Sequence, residues 1–169
     1  VIKHKITDLF ALDPISVIME DIEPGKGKIT IECYGESWTS YWGSMGEGKT
    51  IAKFFCSCDE HYLAGKLSSI DSHITDWDNM PELLRAKLIK MRRAGDIEKH
   101  EAREAYEDCS SIDSEVAAHF NHDTMEKIIG EEWYRDMPQT ENPKYNYLCR
   151  IIKAVQGAIQ RIEADKAAA

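Results

Sequence analysis

The stretch Lys28-Ile29-Thr30-Ile31-Glu32-Cys33-Tyr34 alternates apolar and polar residues with a period of two. Ile29, Ile31 and Cys33 therefore fall on one face of an extended chain, and Lys28, Thr30 and Glu32 on the other. That is the pattern of an antiparallel strand with one dry face and one wet face. Residues 15–22, rich in β-branched and apolar types, precede it, and Glu23-Pro24-Gly25-Lys26-Gly27 lies between the two segments as a turn cluster. The pair predicts a β-hairpin. A third strand is expected over 37–42, after a break near Gly35. It places Trp38, Ser40 and Trp42 on one face and Thr39 and Tyr41 on the other.

Beyond residue 50 the chain reads as helices. The spacing of Ile51, Phe54, Phe55, Cys58, Tyr62 and Leu63 predicts a helix over 50–67. The polar, acidic segment 68–79 reads as a connecting loop. Pro81 suits a first helical turn, capped by Asp78 or Asn79. Leu84, Leu88 and Met91 recur at helical spacing until Gly95, a fitting C-terminal stop. Residues 96–108 form a charge-dense helix with pairs one turn apart. Another helix starts at Asp113 or Ser114 and runs through Phe120. Asp123 followed by Glu126 resembles a capping box, from which a restarted helix is expected to run until just before Pro138. After Asn142-Pro143, the residues Leu148, Ile151, Ile152, Val155, Ile159 and Ile162 give the cleanest helical stripe in the chain. Strands first and helices later predict an α+β fold, a small antiparallel sheet of about three strands and then a mostly helical half. The expected modules are 1–68, a β-β-β-α sheet unit, and 79–166, a helical unit packed on it, the two together making one compact domain. Apolar faces on the late helices also raise a homodimer through those helices.

Size and charge bound the partners. At 169 residues and a formal net charge of −9, the chain suits a small soluble protein. The charge disfavours wrapping around a nucleic-acid backbone. No segment is apolar enough to span a bilayer, and no secretion signal opens the chain, so a cytoplasmic location without membrane contact is expected. Five cysteines at irregular spacing, Cys33, Cys56, Cys58, Cys109 and Cys149, then read as reduced thiols.

Four groups of residues invite chemistry. Gly43-Ser44-Met45-Gly46-Glu47-Gly48-Lys49-Thr50 satisfies G-x-x-x-x-G-K-[ST], in which backbone amides at a helix N-terminus cradle phosphates, the lysine reaches the terminal ones and the threonine holds magnesium. Gly43, Gly48, Lys49 and Thr50 would carry a nucleotide site of a phosphotransferase or NTPase. The context disagrees: the strand before it is aromatic and polar rather than continuously apolar, and no later strand supplies an acidic metal ligand. A plain strand-to-helix turn with Thr50 as N-cap is the competing expectation. Cys56, Cys58 and His61, and separately His119, His122, Asp123 and Glu126, hold metal-binding residue types without the spacing of an established site, so no metal and no cofactor are expected. Asp71, His73, Asp76 and Asp78 lack the glycine and distal glutamate of a calcium loop. Arg85, Lys87, Lys90, Arg92 and Arg93 make a basic island, either one solvated helix side or the contact of a DNA-binding recombination accessory. Tyr34, Trp38, Tyr41 and Trp42 make an aromatic set, either a partner-binding surface or the core of the sheet. No complete catalytic set appears, so a non-enzymatic protein is expected.

Three stretches carry a resemblance: Asp13-Pro14-Ile15-Ser16-Val17-Ile18-Met19-Glu20-Asp21-Ile22, Gly27-Lys28-Ile29-Thr30-Ile31-Glu32-Cys33-Tyr34-Gly35, and Ser37-Trp38-Thr39-Ser40-Tyr41-Trp42-Gly43. They resemble small accessory proteins encoded in lambdoid phages and prophages of enteric bacteria, over roughly the first 70 residues. The resemblance implies a protein made inside a bacterial cell, of a kind that binds and redirects host machinery such as nucleases and defence complexes. It carries no catalytic residues. The functional expectation is therefore a phage-encoded interaction protein acting on a host protein complex.

Overall fold

The computed structural model describes residues 1–7 and 9–168. The first elements are β1 (Ile2–Ile6), β2 (Ile15–Glu23), β3 (Lys26–Cys33), β4 (Glu36–Trp42), α1 (Ile51–Ser57) and α2 (Glu60–Leu67). Then come β5 (His73–Thr75), α3 (Met80–Ala94), α4 (Lys99–Asp108), a single 3-10 turn (Cys109–Ser111), α5 (Glu115–Phe120), α6 (His122–Ile128), β6 (Gln139–Glu141) and α7 (Pro143–Ala168). The fold is α+β. Two compact units form: Val1–Ser72 with Asn142–Ala169, and His73–Glu141. The division thus differs from a cut at 68–79. The last helix belongs with the sheet, and the middle of the chain is an insertion.

The first unit is built on a four-stranded antiparallel sheet, ordered β1-β2-β3-β4. The hairpin forms as the alternation requires: Val17 sits opposite Ile31 and Met19 opposite Ile29, all four side chains buried on one face. The sequence pattern does not disclose β1. Its five residues include three bases, Lys3, His4 and Lys5, yet Ile6 pairs with Ile15 and Ile2 with Met19, extending the sheet by one edge strand. The stripe of α7 covers the inner face together with α1 and α2, so Leu148, Ile151, Ile152, Val155 and Ile159 are buried among Ile15, Val17, Ile29, Phe55 and Leu63. These five residues of the stripe are thereby packed within one chain.

Helix 50–67 is two helices, not one. Asp59 interrupts it: its Oδ1 accepts from the backbone N–H of His61 at 3.0 Å and of Tyr62 at 2.9 Å, which starts α2 afresh. The carbonyls freed at the break are taken by one side chain from α7. Gln156 Nε2 donates to Phe55 O at 2.9 Å and to Cys58 O at 2.8 Å. Close approach sets one glycine. A Cβ on Gly27 would lie 2.8 Å from Ile51 Cβ and 3.0 Å from Met45 Cε, so a side chain there would push α1 off the sheet.

The inserted unit packs small helices on a core of Met80, Leu84, Leu88, Cys109, Ile112, Met125 and Trp133. Gly95 ends α3 in the left-handed conformation, φ 86°, as its position suggested. α4 starts with a capping box formed by Glu98 and Glu101. The restarted helix is shorter than the spacing suggested: α6 stops at Ile128, and Gly130, φ 124°, leads into turns before Pro138. Short strands β5 and β6 close the insertion, with Ile74 opposite Thr140. Next to them, Asn142 ties the two passages of the first unit together. Its N–H donates to Ser72 O at 2.9 Å, and its Nδ2 donates to Asp71 O at 2.8 Å. Its Oδ1 accepts from Lys144 N at 3.0 Å, which caps α7.

Candidate functional site

The glycine-rich segment 43–50 follows β4, an antiparallel edge strand, and not a parallel strand buried in the middle of a sheet. Met45 is buried beneath it and its N–H donates to Gly25 O at 2.8 Å, so the segment is laid down on the β2–β3 turn. Thr50 is the N-cap of α1, with its hydroxyl accepting from Lys53 N. The decisive group is Asp21. Its Oδ1 accepts from the N–H of Ile51 at 2.6 Å, filling the helix-start position that a phosphate oxygen would need. The adjoining hollow is lined by Asp21 and Glu23 beside Gly48, Lys49 and Thr50, a setting that repels a triphosphate. Of the residues expected for a nucleotide, Gly48, Lys49 and Thr50 line this hollow and Gly43 does not.

The aromatic set divides. Trp38 is 8% exposed and Trp42 5%, both in the core of the sheet. Trp42 Nε1 donates to Tyr62 Oη at 3.1 Å, and its ring packs on Phe54 and Phe55. These two residues are corrected from a surface to a core role, because the wet face of β4 is the Thr39/Tyr41 face. Tyr34 and Tyr41 stay outside, 81% and 54% exposed, but Tyr34 sits in the β3–β4 turn, near the opposite end of β4 from Tyr41, so they make no continuous patch.

Among the other groups, Cys56, Cys58 and His61 do not converge. Cys56 Sγ donates to Gln156 O, and His61 Nδ1 pairs with Tyr145 Oη at 3.1 Å. Burial pushes the thiols of Cys56, Cys58 and Cys149 up, and that of Cys109 up to about 11. A nucleophilic thiolate needs the opposite shift. His122 lies 3.6 Å from Glu126 and 3.9 Å from Asp123 on the exposed side of α6, and its ring meets the edge of Trp133. The Glu126 contact is that of neighbours one turn apart on a helix surface, and Asp123 is the next residue in the chain.

The basic island builds something larger. α3 and α4 enclose an open groove of about 560 Å³. Its floor comes from Ile89 and Leu88 on α3 and from Ala102 and Tyr106 on α4. Ile89 and Tyr106 are 40% and 42% exposed, large apolar groups left in water. Arg92 and Arg93 line the groove from α3, Lys99 and Arg103 from α4, with Glu107 the single acid. Arg85 does not reach into the opening. Its guanidinium lies 4.8 Å from the centre of the Tyr106 ring and holds that ring in place by a cation–π contact. Lys87 and Lys90 are exposed but do not line the groove.

The sequence model of a phage family matches residues 1–161. The chain belongs to that phage family. A search of curated proteins and a search of solved structures each return no match. The phage-family match runs through both compact units, well beyond the first 70 residues in which the resemblance is legible. No helix among the described residues of this phage-family chain is long and apolar enough to cross a membrane. Lys99, Ala102, Arg103 and Tyr106 escape sequence reasoning because 96–108 reads as a solvated helix. The available signal is Ala102 and Tyr106 one turn apart, an apolar stripe flanked by Lys99 and Arg103.

Proposed function

We propose that this phage-family chain is a non-enzymatic binding protein that engages a host protein complex of the infected bacterium, and that the α3/α4 groove is its contact. One observation carries the reading: an apolar floor left in water and lined by four cations, in a chain whose net charge is −9. A contact centred on a half-buried aromatic ring with arginines around it is the composition of an energetic hot spot. The burial that raises the thiols of Cys56, Cys58, Cys109 and Cys149, and the carboxylate at the start of α1, support binding over catalysis. A defence or nucleic-acid-processing assembly is the kind of target the phage context supplies. Tagged chain, passed through bacterial lysate at physiological salt, is expected to retain a defined host protein that the double variant Ile89→Asp, Arg103→Glu releases. Both substituted positions are exposed, so the variant keeps its fold. Retention of the same proteins by both chains would overturn the assignment.

A further inference from the structure

We infer that the α3/α4 groove takes a short amphipathic helix of its partner protein, with carboxylates beside the apolar face. The inference rests on the reading that the chain is a binding protein and adds the chemistry of what it binds. Three features select that occupant.

The first is spacing. On α4, Lys99 and Arg103 stand one turn apart, next to Ala102 and Tyr106, also one turn apart. On α3, Arg92 follows Leu88 by one turn, and Arg93 follows Ile89. Each wall thus repeats along a helix pitch of about 5.4 Å. A ligand whose apolar and acidic groups repeat at that pitch matches both walls at once, which is the helix-in-groove mode.

The second is charge. Three of the four cations are arginines, whose planar forks pair with carboxylates through two parallel hydrogen bonds. The third is length. Asp96, Glu98, Glu101 and Glu104 lie on or just before α4, so a long polyanion would have to run past them. A helix of a few turns spans the groove alone. The apolar floor likewise offers a nucleic-acid backbone nothing, whereas leucine-sized side chains fill it.

The probe is a labelled peptide with leucines at i, i+4 spacing flanked by glutamates, titrated in fluorescence anisotropy at low and at physiological salt. Its controls are the same peptide with lysines for the glutamates and a single-stranded DNA of matching length. The glutamate peptide is expected to bind saturably, and Arg92→Glu with Arg103→Glu to weaken it about tenfold or more. The lysine peptide should then bind that variant better than it binds the native chain, a gain that misfolding cannot produce.

Equal binding of both peptides by the native chain, tighter binding of DNA, or no saturable peptide binding would each overturn the inference. So would a self-association lost in the same variant, which would make a second copy the occupant. If groove-dependent capture from lysate persists while the glutamate peptide fails, the binding function stands and this inference falls. If the charge-swap rescue holds while lysate capture ignores the groove, the reverse is true.

Discussion

The two units solve the same burial problem with different parts. In Val1–Ser72 with Asn142–Ala169, one long stripe on α7 meets one continuous sheet face, and most of the apolar residues of both are buried against each other. In His73–Glu141, several short helices share a smaller core and leave Ile89 and Tyr106 in water between α3 and α4. A long helix on a sheet consumes its apolar surface and leaves little for a ligand. Short helices around a compact core leave seams. The difference leaves an open apolar seam between two helices of the insertion, which is where the proposed contact lies.

That contrast can be broken at its two cores. Ile31→Ala in β3 and Leu88→Ala in α3 each remove a fully buried aliphatic side chain and should cost about 2–5 kcal/mol. Each loss should appear first as faster amide exchange in its own unit. Exchange rising uniformly over the chain after Leu88→Ala would show that the units do not respond separately. A smaller effect is expected from Gly27→Val, which forces a side chain against Ile51 and Met45 and should cost about 1–3 kcal/mol in urea unfolding. An unchanged midpoint would mean that α1 shifts freely over the sheet.

Smaller again is Asp21→Ala, which leaves the Ile51 N–H without its carboxylate and should cost about 1 kcal/mol. Magnesium with ATP at millimolar concentration should not raise the melting temperature of the native chain. A rise would restore the phosphate reading of residues 43–50. The mildest test is pH. Burial raises the Cys109 thiol to about 11 in the folded chain, so its stabilisation is complete below the ordinary thiol value near 9. Between about 9 and 11 the unfolded chain ionises first, and the insertion should lose stability as pH rises. Cys109→Ser should flatten that slope, although it also lowers the plateau.

Much of the architecture is legible in the sequence because alternation and helical stripes are local. Residues 28–34 specify the hairpin and its inner face, and the 148–162 stripe specifies the last helix. What escapes is set by partners distant in sequence. The sequence signal of β1 is weak, and only its pairing with β2 reveals it. The break at Asp59 depends on Gln156, roughly a hundred positions away, to receive the freed carbonyls. Segment 43–50 matches a phosphate loop letter for letter, and only Asp21 on β2, folded onto Ile51, shows that the helix start is taken. The groove escapes for a similar reason. Ile89 and Tyr106 lie on different helices, and neither segment alone discloses that their exposed flanks face a common opening.

The seam at Asn142 carries a consequence for synthesis. As the nascent chain leaves the ribosome, the four strands, α1 and α2 emerge first, then the entire insertion, and α7 only at the end. The sheet must therefore wait with much of its dry face uncovered while a later-made piece can already fold. The helix that completes the first unit is thus separated from its sheet by the synthesis of a whole second unit.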